Sequence, residues 1–218
     1  MVLQNIRQNY DHPALRRSDL AADPFDQFAT WFANAQAADI LEPNAMTLAT
    51  VCANGTPAAR TMLLKGVDDA NTLHRGFVFF TNYTSAKAKH LALHPHAALN
   101  FHWDTLARTV RITGSVAQVS ADETAAYFHS RPRSSQIGAW CSHQSNIIET
   151  RDILEAKQRE LEAKHPANTP IPVPPFWGGY RVTPTTLEFW QGQPSRLHDR
   201  FRYTRADDNT WALDRLSP

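Results

Sequence analysis

Apolar positions along this chain keep two different rhythms. Phe25, Phe28 and Phe32 recur at three and four residues, the spacing of one helical face. Asp23 precedes them as a capping residue, and Pro24 stands where a first helical turn has no use for a backbone N–H, so a helix is predicted to begin there. Beyond it the rhythm shortens. Residues 46–52 and 58–64 read as two strands joined by Asn54-Gly55, a pair favoured in tight hairpin turns. Residues 76–81, 97–103 and 108–119 predict further strands, with a short helix after Ser85.

Ser120 and Glu123 form a capping-box pattern that opens a helix across Tyr127, and Pro132 ends it. Another helix is predicted over residues 151–164. Residues 166–175 hold five prolines and read as a stiff connector. Two hairpin-like strand pairs follow, with Asp207-Asp208-Asn209 as the final turn. Residues 1–22 are polar, carry Arg16-Arg17, and read as a mobile arm or lid ahead of one domain over residues 23–218. Strands outnumber helices and no long α/β alternation is present, so the expected fold is mainly β: an antiparallel barrel with peripheral helices.

Composition narrows the partners. A chain of 218 residues supports one substantial core rather than two clear domains. Lys plus Arg number 22 against 21 for Asp plus Glu, so no global basic field exists to hold nucleic acid or an anionic membrane, and any anion site must be local. Cys52 and Cys141 form no CxxC pair and read as free thiols in a reducing compartment. No run resembles a signal peptide or a membrane span, which makes a soluble cytoplasmic protein the expectation.

Candidate chemistry centres on anions. With eight glycines, no GxGxxG turn and no GxxxxGK loop, phosphate must be held by side chains. Arg60, Lys65 and Lys87 suit that task, with Ser145 as a neutral donor, although solvated surface cations would look the same. Tyr127 and Arg131 lie four apart on the predicted helix and share a face, with Ser135 just beyond; arginines at a helix C-terminus facing the macrodipole are the alternative. In the segment EFWQGQPSRLHDR, residues 188–200, an extended backbone would turn Arg196, His198 and Arg200 to one face, suited to an anionic aromatic ligand. Ordinary Arg–Asp pairing on a half-exposed strand accounts for the same spacing. His94, His96 and His102 cluster without a zinc-type spacing, and a Cys141–His198–Asp199 nucleophilic arrangement lacks a local signature.

Three blocks carry a resemblance. They are Arg60-Thr61-Met62-Leu63-Leu64-Lys65 with Phe80-Thr81-Asn82 and Ser85-Ala86-Lys87; the stretch YFHSRPRSSQIGA, residues 127–139, followed by Gln144-Ser145; and Trp190-Gln191-Gly192 followed by Arg196-Leu197-His198-Asp199-Arg200. In this order, over residues 7–218, the chain resembles the pyridoxamine 5′-phosphate oxidase family. The resemblance implies a split-barrel FMN-binding fold and a homodimer with its sites at the subunit interface. It implies FMN held at Arg60, Thr61, Met62, Leu63, Leu64, Lys65, Phe80, Thr81, Lys87, Gln144, Ser145, Trp190 and Arg200. Lys65, Tyr127, Arg131 and Ser135 would hold the substrate phosphate. Arg196 and His198 would line the pyridine ring as the catalytic pair, and Arg7 and Tyr10 would lie on a segment that folds over the substrate. The implied reaction takes pyridoxamine or pyridoxine 5′-phosphate to pyridoxal 5′-phosphate, with dioxygen as acceptor and hydrogen peroxide as product. Three positions depart from the family: Ala86 stands where a cation is usual, Thr109 where glutamine is usual, and the loop over residues 66–75 looks extended.

Overall fold

The helix expected after Asp23 is α1, Pro24–Ala37. In the computed structural model, which describes Leu3, residues 10–72 and residues 74–218, the Asp23 carboxylate accepts the Phe25 N–H at 2.7 Å. Phe25, Phe28, Trp31 and Ala35 form the buried face, while Phe32 is only partly covered. The Phe28 ring meets Phe77 at 5.0 Å and Phe101 at 5.2 Å, both edge-on, and Trp31 meets Phe189 at 5.2 Å. Each fully buried aromatic of this kind stabilises the fold by about 1.5–3 kcal/mol.

The strands are β1 (Ala45–Val51), β2 (Pro57–Leu63), β3 (Gly66–Val67), β4 (Phe77–Asn82), β5 (His96–Trp103), β6 (Arg108–Gln118), β7 (Trp177–Gln191), β8 (Asp199–Arg205) and β9 (Trp211–Leu216). The fold class is thus the expected one, mainly β with peripheral helices. The β1–β2 turn differs in detail. Cys52 N–H donates to Thr56 O and Gly55 N–H to Cys52 O, a three-residue loop rather than a two-residue turn, with Gly55 at φ +83°, the left-handed region glycine adopts at no steric cost.

Antiparallel pairing runs β2-β1-β5-β6-β7-β4-β3. Because β2 continues into β3 through Leu64 and Lys65, the two ends of this path are one piece of chain, and the sheet returns on itself around Leu48, Phe79, Leu99, Phe101, Ile112 and Val182. The long strand β7 is where the wall divides. Its residues 177–182 pair with β4 and its residues 186–191 with β8, while β6 runs along the other side of both. A bulge separates the two stretches: Thr113 faces Thr186 but Gly114 faces Pro184, leaving Thr185 over. A Cβ on Gly114 would fall 2.1 Å from Thr183 O, so only glycine fits. The two expected terminal strand pairs are β7 with β8 and β8 with β9, so they share β8, and β7 runs on through Pro184.

Helices α2 (Ala86–Leu93), α3 (Ala121–Ser130) and α5 (Asp152–Lys164) stand where expected, capped in the first two cases by Ser85 and Ser120 hydroxyls. Helix α4 (Arg133–Cys141) was not anticipated. Together α3, α4 and α5 build a second small core of Phe128, Ile137, Leu161, Ile171 and Trp177. The proline-rich connector is stitched to it: Arg133 donates to His165 O, Pro166 O and Thr169 O, and Trp140 Nε1 to Pro172 O. Residues 10–22, expected as part of an arm, lie against the C-terminal strands: Leu15 is buried, Arg17 donates to Leu213 O, and the Tyr203 hydroxyl donates to Ala21 O.

Candidate active site

Between the barrel wall and the α3–α4 layer lies a cleft of about 470 Å³, within the range of small-molecule sites. The barrel contributes Thr61, Met62, Leu63 and Lys65 from β2 and the residues after it, and Phe80, Thr81 and Asn82 from β4. The helical layer contributes Tyr127, Arg131 and Ser135, with Trp177 at the base. Phe80 stacks on Tyr127 at 3.9 Å and on Trp177 at 5.4 Å, so one aromatic pile joins the two layers.

Positive charge gathers behind the part of the cleft lined by Thr81 and Gln144. Lys87, in the first turn of α2, is 7% exposed, and its ammonium donates to Gln144 Oε1, Thr81 Oγ1 at 3.1 Å and Ser85 Oγ at 3.4 Å. Ser145 Oγ accepts from Ala86 N at 3.2 Å, which brings the Gln144-Ser145 pair onto the helix start. Arg60 donates to Leu48 O, Thr50 Oγ1 and Ala58 O. Burial, followed by the positive charge of Arg60, lowers the Lys87 pKa from 10.5 to about 8. No carboxylate pairs with Arg60 or Lys87 among the described residues. A buried ammonium whose proton affinity is lowered by its own burial and by the half-buried Arg60, with no carboxylate beside either, leaves room for an external anion. Ala86 and Lys89 both lie on the exposed side of this helix.

The other end holds Arg131. Its guanidinium lies 4.7 Å over the Trp177 ring, its Nη1 is buried with no hydrogen-bond partner, and no carboxylate pairs with it among the described residues. Burial lowers the Arg131 pKa and raises that of Tyr127, and the proximity of the two partly offsets both effects. An orphaned guanidinium N–H beside Tyr127, Ser135 and Lys65 calls for an acceptor with several oxygens. Sequence spacing found Tyr127, Arg131 and Ser135 but missed Trp177, which follows the proline-rich connector with no periodic signal.

The remaining expected residues gather elsewhere. Trp190 lies near the far end of β7, 11 residues beyond Gly179, which pairs with Phe80; that is roughly 35 Å of strand. There the Trp190 ring meets His198 at 4.6 Å, and the Tyr10 ring lies edge-on to Trp190 at 5.9 Å and His198 at 5.7 Å. The alternating-strand reading of Arg196, His198 and Arg200 fails. Pro194–Arg196 is a 3₁₀ turn with Ser195 at φ 56° and Arg196 at φ 63°, and β8 begins only at Asp199. Arg196 is exposed, whereas Arg200 donates to Glu188 at 2.9 Å and to Ser217 O at 2.9 Å. His198 Nδ1 accepts the Gln193 N–H at 3.1 Å, which puts the proton of the neutral ring on Nε2. Burial, and then the charge of Arg196, lowers the His198 pKa and favours that neutral form. Cys141 donates to Ile137 O within α4, so it joins no triad with His198 and Asp199 in the chain. Arg7 lies outside the described residues.

Comparisons with known proteins agree on one family and one fold. The family described as pyridoxamine 5′-phosphate oxidase matches residues 32–165, and the pyridoxine 5′-phosphate oxidase C-terminal dimerisation region matches residues 177–218. The pyridoxine/pyridoxamine 5′-phosphate oxidase of Bordetella avium is 56% identical over 218 residues, covering 100% of both chains. Among solved structures, PhzG from Burkholderia lata in complex with tetrahydrophenazine-1-carboxylic acid is 30% identical with a TM-score of 0.84, over 92% of this chain and 95% of that one. A pyridoxamine 5′-phosphate oxidase-related, FMN binding protein from Nostoc punctiforme aligns with a TM-score of 0.71 at 19% identity, over 91% of this chain and 100% of that one. The split barrel is therefore the fold these proteins share.

Proposed function

The chain belongs to the pyridoxamine 5′-phosphate oxidase family, and we propose that it is an FMN-dependent oxidase of pyridoxamine 5′-phosphate and pyridoxine 5′-phosphate. Pyridoxal 5′-phosphate is the common product. Dioxygen is taken to hydrogen peroxide, and the amine substrate also consumes water and releases ammonia. FMN, when bound, supplies the hydride acceptor that amino-acid side chains lack. The donor set fits it: Lys87 and Arg60 lack a counter-charge where a phosphate is needed, and Thr81, Gln144 and Ser145 supply neutral polar groups around it. Met62 and Leu63 offer apolar cover for a planar ring.

The single observation that carries the substrate assignment is the buried, unpartnered Nη1 of Arg131 in a cleft shared with Lys65, Tyr127 and Ser135. These four would hold the substrate phosphate, a remote handle whose binding energy fixes the reacting carbon in place. Arg196 and His198 would line the pyridine ring, with His198 donating a hydrogen bond from Nε2. Trp190 and Arg200 would complete the flavin site. Since Trp190 and Arg196–Arg200 lie at the other end of β7 from the cleft, we assign them to the site completed by a second copy. The matched C-terminal dimerisation region supports that arrangement. Arg7 and Tyr10 would form the lid over the substrate.

The test is anaerobic. Purified yellow protein should bleach on addition of pyridoxamine 5′-phosphate and regain colour in air with formation of peroxide. Arg131→Ala should raise the concentration needed for half-bleaching by one to two orders of magnitude, about 1.5–3 kcal/mol, and leave FMN affinity unchanged. Equal loss with unphosphorylated pyridoxamine would sink the phosphate assignment. Bleaching by tetrahydrophenazine-1-carboxylic acid, a partly reduced tricycle that can give up hydride, and not by the phosphorylated amine, would favour chemistry on the ligand of the Burkholderia lata relative.

A further inference from the structure

Leu15 is fastened to the sheet through both of its backbone groups. Its N–H donates to Asp199 Oδ2 at 2.9 Å, and its carbonyl accepts from Arg215 Nη2 at 3.0 Å. Arg215 Nη1 donates in turn to Asp199 Oδ1 at 2.7 Å, which closes a three-membered ring of contacts around one peptide. Asp199 is 7% exposed, so this carboxylate depends on those two donors in place of water.

What the ring of contacts holds is the approach to His198. Five residues before Leu15 stands Tyr10, and between them Pro13 O accepts from Gln193 Nε2 at 3.1 Å. The Tyr10 ring fills a slot that exists because residue 192 has no side chain: a Cβ on Gly192 would fall 2.8 Å from Tyr10 Cγ. From that slot it lies edge-on to both Trp190 and His198.

We propose that Asp199 is a positioning residue for substrate binding, which seats Tyr10 beside His198 by anchoring the N-terminal strap at Leu15. This rests on the assignment of Tyr10 and His198 to the substrate side of the site. Asp199 is the sequence neighbour of His198, yet its two oxygens are committed to Leu15 and Arg215, and the proton affinity of His198 is set by burial and by Arg196. Its influence on the reaction therefore passes through the strap. A five-residue tether can place Tyr10 no farther than about 17 Å from its anchor, and releasing the anchor lengthens the leash.

The FMN-loaded full chain supplies the test, with Asp199→Ala and Asp199→Asn made alone and in a Tyr10→Ala background. Asp199→Ala should raise KM for pyridoxamine 5′-phosphate about tenfold with a smaller change in kcat, as expected for losing a hydrogen bond to a charged group. Asp199→Asn should fall between, because its amide oxygen still accepts from Leu15. In the Tyr10→Ala background, Asp199→Ala should add nothing to KM. Tryptic cleavage after the exposed Arg16 and Arg17, followed by mass spectrometry, should accelerate in Asp199→Ala. An undiminished effect without Tyr10, or cleavage at the wild-type rate, would overturn the proposal. If Asp199→Ala fails to fold, Asp199→Asn carries both readouts. The cleavage comparison does not depend on turnover, so an inactive wild-type protein would count against the oxidase assignment and leave the anchor separately decided.

Discussion

Lys87 shows how one side chain links burial to folding and, on the proposed function, to ligand binding. Its pKa in the folded chain, about 8, lies below the ordinary 10.5. Between those values the unfolded chain holds the extra proton, so stability of the flavin-free protein rises as pH climbs from about 8 to 10.5. A phosphate dianion beside the ammonium favours the protonated form instead. FMN binding near pH 8.5 should therefore take up a fraction of a proton, and affinity should fall as pH rises through about 8. Calorimetric titration in two buffers of different ionisation enthalpy reads the proton directly, and identical heats would remove Lys87 from the phosphate site. Residue-level signals of this kind were only partly legible in the sequence. Asp23, Ser85 and Ser120 announced their helices because a cap is a local contact. The turn at Ser195 and Arg196 was hidden, since neither is the glycine that positive φ usually demands. The tie between Leu15 and Asp199 spans 184 positions and leaves no trace in spacing.

At the scale of elements, β7 governs the architecture by belonging to two walls. The bulge at Thr185 lets its first stretch face β4 and its second face β8, and Gly114 permits the close backbone approach opposite. Gly114→Val should accordingly destabilise the protein by about 1–3 kcal/mol or more, because the new side chain meets backbone atoms rather than a yielding side-chain tip. Chemical denaturation measures it, and an unchanged midpoint would show that the bulge relaxes freely. Alternation predicted most strands to within a residue or two. It gave no sign of the bulge inside β7, where Pro184 stands because a missing N–H is tolerated there. Helix α4 escaped notice because it starts without a side-chain cap and carries Gly138 in its middle. Its residues were marked by the resemblance of the block around them, not by periodicity.

For the whole molecule, the proposed assignment of the Trp190–His198 face to a second copy would make the single chain half of two sites. Dilution that separates the copies should release FMN and abolish activity together, which sedimentation and flavin fluorescence can follow on the same samples. A monomer that keeps its flavin would contradict the shared-site reading. The barrel has one further property. β2 pairs with β1 along one side only; before it joins β4 through Lys65 and β3, its other side is splayed from β4, and Thr61, Met62 and Leu63 line the cleft there. Such a margin carries main-chain donors and acceptors with no ladder partner among the described residues, the same feature by which edge strands recruit foreign strands and aggregate. On the proposed function a flat ligand seated against it would cover that margin, so the FMN-free protein is expected to aggregate more readily than the FMN-loaded one, which light scattering of the two forms would show.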